Sequence, residues 1–160
     1  MRNRTIVGGR LAALLTLILA LGACDHPLGH DHDHLQARGV VITDLAGQTL
    51  AETHGSHWHY RGGGSDLHLH RGEELDVRIW FVDPAGQRFQ LAGQRDYQLV
   101  VQVADPAVAR YDGHGDHGHF EGLAVGRTTA VIHLWHGAHP AGHPDYSSPP
   151  LTLDVVAHSH

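Results

Sequence analysis

From residue 38 onward the chain is written largely in a two-residue rhythm. Leu75, Val77, Ile79 and Phe81 fall on alternate positions of Leu75-Asp-Val-Arg-Ile-Trp-Phe-Val82, and such alternation predicts a strand with one covered face and one wet face. The same reading extends to Val40-Val41-Ile42, to 48–53, to 57–60 and 65–70, to 97–103, to a short strand near Phe120, to 128–135 and to 151–156. Between them stand turn signals: Asp44-Leu-Ala-Gly47, Arg61-Gly-Gly-Gly64, Asp83-Pro-Ala-Gly86, Ala104-Asp-Pro106 and Val125-Gly-Arg127. No segment carries a helical period over ten residues. Seven or eight short, mostly antiparallel strands separated by Gly/Pro turns predict an all-β sandwich. Its expected core is Val41, Leu50, Leu67, Leu69, Leu75, Val77, Ile79, Phe81, Leu99, Val101, Val103, Leu123, Ile132, Leu134, Leu153 and Val155. A domain of this size buries enough apolar surface to fold without disulfides or an obligatory metal.

The N-terminus reads differently. Arg2, Arg4 and Arg10 precede the apolar run Leu11–Leu21, and Gly22-Ala23-Cys24 follows, the arrangement of an export signal rather than a membrane span. Leu21-Gly22-Ala23-Cys24 resembles the lipobox of bacterial lipoproteins. The resemblance implies cleavage before Cys24, lipid on its thiol, and a protein tethered in the periplasm. Asp25 resembles the inner-membrane retention signal of such lipoproteins. The resulting partition is a signal peptide over 1–23, a lipidated His/Asp-rich tether over 24–37, the sandwich over 38–157 and a tail over 158–160. The chain has one cysteine, so no intrachain disulfide is available.

From Leu69 onward the layout also resembles bacterial immunoglobulin-like domains. The resemblance rests on Leu67-His-Leu-His-Arg-Gly-Glu73, Phe81-Val-Asp-Pro-Ala-Gly86, Asp105-Pro-Ala-Val-Ala109 and Glu121-Gly-Leu-Ala-Val-Gly-Arg-Thr-Thr-Ala-Val131. It implies an immunoglobulin-like sandwich and nothing about chemistry, because this architecture hosts unrelated roles.

Histidine changes the picture. The chain holds 18 of them, many as His-x-His, a spacing that puts both rings on one face of a strand. Neutral imidazole is a common transition-metal ligand. Three groups stand out within the predicted domain. His57, His59, His68 and His70 flank the glycine run. With a two-residue turn at Gly63-Gly64, His59 faces His68 and His57 faces His70. With a four-residue loop, His57 faces His68 and His59 faces Asp66. The second group is His114, His117 and His119 in a glycine-rich loop with Asp112, Asp116 and Glu121 nearby. The third is His133, His136, His139 and His143, spanning the end of a strand and the loop after it. The tether histidines His26, His30, His32 and His34 and the tail histidines His158 and His160 resemble the His-rich flexible loops of periplasmic zinc-binding transport proteins, which implies loose metal capture.

A nitrogen-rich ligand set with occasional carboxylates points to Zn²⁺, with Cu²⁺ and Ni²⁺ as alternatives. Past Cys24 the chain has neither thiol nor thioether for Cu(I). The net charge is −6, and the predicted signal takes arginines but no acids with it. An acidic surface gives no electrostatic basis for nucleic-acid binding. No His-Glu-x-x-His, nucleophile elbow or phosphate loop is present, so no enzyme is expected. A metalloenzyme of the superoxide dismutase type is the less favoured reading. The expectation is a lipid-anchored periplasmic protein that captures, buffers or delivers Zn²⁺, with a metal transporter or an outer-membrane receptor as its partner. Its alternative is a structural or interaction module whose histidine surface responds to pH.

Overall fold

The computed structural model describes residues 34–158. The predicted signal, Cys24, the tether histidines His26, His30 and His32, and His160 of the tail lie outside them. Among the described residues twelve strands run in chain order: β1 (Gly39–Thr43), β2 (Thr49–His54), β3 (His57–Tyr60), β4 (Leu67–His70), β5 (Glu74–Val82), β6 (Arg88–Phe89), β7 (Tyr97–Val103), β8 (Ala109–His114), β9 (His117–Gly122), β10 (Gly126–His136), β11 (His143–Ser147) and β12 (Leu151–Val156). They form two sheets. The first has the order β3-β2-β1-β5-β9-β8, with β6 added on β5. The second has the order β11-β10-β12-β4, with β7 added on β10. All pairings are antiparallel except β12 with β4.

The protein is therefore an all-β, immunoglobulin-like sandwich. The period-2 reading explains its core. Val77, Ile79 and Phe81 of β5 are buried, as are Ala130, Ile132 and Leu134 of β10 and Leu151, Leu153 and Val155 of β12. These side chains of the two sheets join in one cluster with Val40, Ile42 and Phe120. Leu123 departs from the expected core, being 37% exposed. It follows the last residue of β9, where the alternation of the strand no longer dictates its direction.

Three strands stand where none was expected: the short β6, and β8 and β11 in stretches expected as loops. Residues 109–114 and 117–122 form a hairpin, and 143–147 pair back onto β10. A larger correction concerns the expected hairpin between 57–60 and 67–70. β3 pairs with β2 in the first sheet, and β4 pairs with β12 in the second. Arg61–Gly63 makes a single 3₁₀ turn in which Gly62 and Gly63 adopt φ of 74° and 76°, and the chain crosses from one sheet to the other there. His57 and His59 therefore face neither His68 nor His70.

Candidate metal centre

Among the described residues, all histidines but His133 and His139 fall at five places in the fold. The most enclosed is the far end of β10. His136, its last residue, pairs with His143 of β11 on one side and with Tyr97 of β7 on the other. Between Leu134 and Trp135 the β10–β11 register slips: Leu134 faces Tyr146 and Trp135 faces Pro144. Asp145 is thus the extra residue of a bulge, a device that re-aims a side chain out of the regular alternation. Its carboxylate meets three groups. Oδ2 lies 3.0 Å from His34 Nδ1 and accepts a 3.0 Å hydrogen bond from the Tyr97 hydroxyl, while Oδ1 lies 3.1 Å from His143 Nε2. The His136 ring stands edge-on to those of His34 and His143, with centroids 4.9 and 5.3 Å away, and stacks on Tyr97 at 4.8 Å.

His34, His136 and Asp145 each offer one ligand atom within 4.8 Å of the others. Tetrahedral zinc with bonds of about 2.0–2.1 Å places neighbouring ligand atoms about 3.3 Å apart, so the separations around Asp145 are of the right size. The Nδ1 of His136 is buried with no hydrogen-bond partner among the described residues, a state that costs on the order of 1–3 kcal/mol unless some partner meets it. Burial pushes the Asp145 carboxyl up, but the hydrogen bonds from His34 and Tyr97 and the nearby imidazoles outweigh it and hold the group below the usual carboxylate range. Burial raises the Tyr97 phenol, so Tyr97 remains a donor.

His133 and His139 do not join this group. His133 is three positions from His136, and residues three apart on a strand point to opposite faces. Its Nδ1 lies 2.8 Å from the Ser147 hydroxyl. His139 packs edge-on against Trp135 with ring centroids 4.8 Å apart. The expected set of four is thus reduced to His136 and His143, and His34 and Asp145 complete it. His34 belongs to the His-x-His run expected as a loose tether, but its spacing gives no sign that it meets Asp145 across 111 residues. Asp145 carries a signal in the spacing His143-Pro-Asp145.

Two hairpins make up the next places. In β2–β3, Glu52 faces His59 and His54 faces His57. All four side chains project from one face, while Ala51, Thr53, Trp58 and Tyr60 take the other. His57 Nε2 and His59 Nε2 are 3.1 Å apart, and His54 Nε2 lies 3.2 Å from Glu52 Oε1. In β8–β9, Asp112 faces His119 and His114 faces His117. Asp112, His114 and His119 bring ligand atoms within 4.8 Å of one another. His119 Nε2 is 3.5 Å from Glu74, and His117 Nδ1 is 3.0 Å from Asp116. Glu121 is occupied by an ion pair with Arg110.

His68 and His70 of β4 go separate ways. His68 Nδ1 is 2.9 Å from Asp66 and 3.8 Å from Asp154, but Arg127 holds both carboxylates, at 2.6 and 3.4 Å. A guanidinium already satisfies the charge that an ion would need. His70 groups with Glu73 and His158, all exposed.

A scan against protein-family models finds no match, and neither does a search of curated proteins. Among solved structures, the chain is similar to domains 4 and 5 of the S-layer protein SbsC, with 16% identity and a TM-score of 0.42 over 59% of this chain and 49% of that one. The chain thus spans about half of that structure. No helix among the described residues is long and apolar enough to cross a membrane.

Proposed function

We propose that this is a lipid-anchored periplasmic metal-binding protein that captures Zn²⁺ and passes it to a transport system, with His34, His136, His143 and Asp145 as its ordered site. The observation that carries the reading is the meeting of three imidazoles and one carboxylate from three separate parts of the chain, on a carboxylate already fixed by Tyr97. Three nitrogens and one oxygen suit a borderline ion such as Zn²⁺. Four protein ligands fill a tetrahedral shell, whereas a catalytic zinc keeps one position open for water or substrate. The set therefore suits holding an ion better than hydrolysis.

The test is a Zn²⁺ titration of the metal-stripped full chain in which His26, His30 and His32 are replaced by glutamine. Tight binding that weakens in acid and is lost at this site in His136→Ala supports the reading. Binding that vanishes with the three tether histidines and ignores His136→Ala overturns it.

A further inference from the structure

The two histidine hairpins are the same eight-residue sentence written twice. Glu52-Thr-His54-Gly-Ser-His57-Trp-His59 and Asp112-Gly-His114-Gly-Asp-His117-Gly-His119 share the order acid-x-His-Gly-x-His-x-His. Each folds with the same register: acid opposite the last histidine, first histidine opposite the second. Each turns over two residues, opening on a glycine with positive φ, 62° at Gly55 and 70° at Gly115. Two-residue hairpin turns take such glycines because their twist matches that of the strands. The period-2 rule then sets one carboxylate and three imidazoles on a single face, with directly opposed Cβ atoms about 5 Å apart.

We propose that each hairpin is a separate binding site for one divalent transition-metal ion, held by Glu52, His54, His57 and His59 in the first and by Asp112, His114, His117 and His119 in the second. In the second copy Asp112, His114 and His119 already bring ligand atoms within 4.8 Å of one another, and in the first the close contacts are pairwise. The 3.1 Å between His57 Nε2 and His59 Nε2 approaches the roughly 3.3 Å edge of a tetrahedral zinc shell. The diagonal rings, His54 with His59 and His114 with His119, have centroids 4.3 and 5.3 Å apart. In each copy the acid lies beside the first histidine, Glu52 at 3.2 Å from His54 and Asp112 at 3.9 Å from His114.

The backbones under these groups are anchored. Behind the first, Trp58 Nε1 donates to the Pro149 carbonyl at 2.8 Å and the Tyr60 hydroxyl accepts from Thr152 N at 2.9 Å. Behind the second, Phe120 is fully buried and Tyr111 packs on it at 5.0 Å. The inward side chains fix each hairpin, and the outward ones are left for an ion. β3 and β8 are the two ends of the same sheet path. Register through β1 and β5 puts both tips toward the Val82 end of β5, on the face that carries Trp80 and Arg78. Each ion would sit between the two strands of its hairpin, so four strand spacings separate the sites along the sheet path; the two ions stand on the order of 20 Å apart and bind independently.

This proposal does not rest on the His136 cluster, and either can fail alone. Site-resolved carbethoxylation of the full chain, read by mass spectrometry with and without Zn²⁺, tests it, because a metal-bound imidazole is shielded from the reagent. The expected result is at least fivefold lower modification of His54, His57, His59, His114, His117 and His119 with Zn²⁺. In the double variant His54→Gln/His57→Gln, His59 returns to its metal-free reactivity while the second hairpin stays protected. His114→Gln/His117→Gln gives the mirror result at His119. These positions face solvent, and an unchanged thermal midpoint without metal confirms the fold. Protection of His136 and His143 alone overturns the proposal, as does His59 or His119 protection that survives its own double variant. Protected hairpins beside a reactive His136 would leave it standing and defeat the ordered site above.

Discussion

Asp145 and Tyr97 are joined by a hydrogen bond in which the phenol donates to the same oxygen, Oδ2, that His34 meets at 3.0 Å. The Tyr97 oxygen in turn accepts from Leu35 N at 2.9 Å. One phenol thus fixes both the carboxylate and the chain entering beside it. A group that orients a metal ligand is worth about 10–100-fold in affinity. Tyr97→Phe is expected to weaken Zn²⁺ at this site by that factor without changing the number of ions bound. Asp145→Asn should lose the site. Competition with a zinc-chelating dye measures both, and equal affinities for Tyr97→Phe and the parent would show the hydrogen bond to be idle.

Protons bear on the site as well as on the fold. Burial, and then the neighbouring His139, hold His133 below the ordinary value of 6.5. A depressed folded value means the unfolded chain binds the proton more readily, so stability rises with pH across that window. The contribution of His133 is whole above 6.5 and is lost as pH falls through its lowered value. In the metal-free protein, imidazole NMR should place its titration midpoint below 6.5, and the acid-side loss of thermal stability should be smaller in His133→Gln. Asp145 acts in the same direction at lower pH: its stabilisation is present above the ordinary 3.8 and is lost as pH falls through its lowered value. Zn²⁺ affinity should fall in acid too, because proton and ion seek the same nitrogens.

What was legible beforehand was direction, and what was not was adjacency. The alternation of Val77, Ile79 and Phe81, or of Ala130, Ile132 and Leu134, assigns inward and outward faces correctly, since the pleat has no other solution. The same rule puts His57 and His59 outward, with Trp58 and Tyr60 behind them. It does not say which strand comes alongside. Arg61-Gly-Gly-Gly64 reads as a hairpin turn as well as a crossover, and packing of the second sheet chose the crossover. The true turn, Gly55-Ser56, lies before His57 rather than after Tyr60, and it recruits His54, which stands outside any His-x-His pair. The meeting of His34 with Asp145 was out of reach for another reason: a bulge and a contact over 111 residues bring them together, and neither leaves a periodic trace.

Arg127 sets the group Asp66, His68 and Asp154 apart from the other clusters. Its guanidinium lies 2.6 Å from Asp66 and 3.4 Å from Asp154. Arg127→Gln should leave two carboxylates beside His68 without their cation. The metal-free protein is expected to lose under about 1 kcal/mol, since the arginine is 60% exposed and solvent screens the pair. The same variant should bind one more divalent ion than the parent, with His68 newly shielded from modification. An unchanged ion count, with His68 as reactive as before, would show that these three groups lack the geometry for an ion.

The loop after β10 tests whether the cluster is held by its backbone or by its side chains alone. Gly137 N donates to the Asp96 carbonyl and Gly142 N to the Ala138 carbonyl, each at 2.7 Å, closing residues 137–142 over the end of the strand. Gly142 sits so near His136 that a methyl group on its Cα would collide with the His136 carbonyl oxygen and crowd the Trp135 indole nitrogen. Backbone on one side leaves little room to give. Gly142→Ala should therefore cost about 1–3 kcal/mol, the usual range for overpacking. The displacement falls on His136 and on His143, the residue next to the substitution, so Zn²⁺ at this site should weaken while the two hairpins keep their protection. A calorimetric midpoint and the carbethoxylation map read the two effects separately. A lowered midpoint with His136 and His143 still fully protected by Zn²⁺ would mean that the side chains find the ion without this loop to guide them.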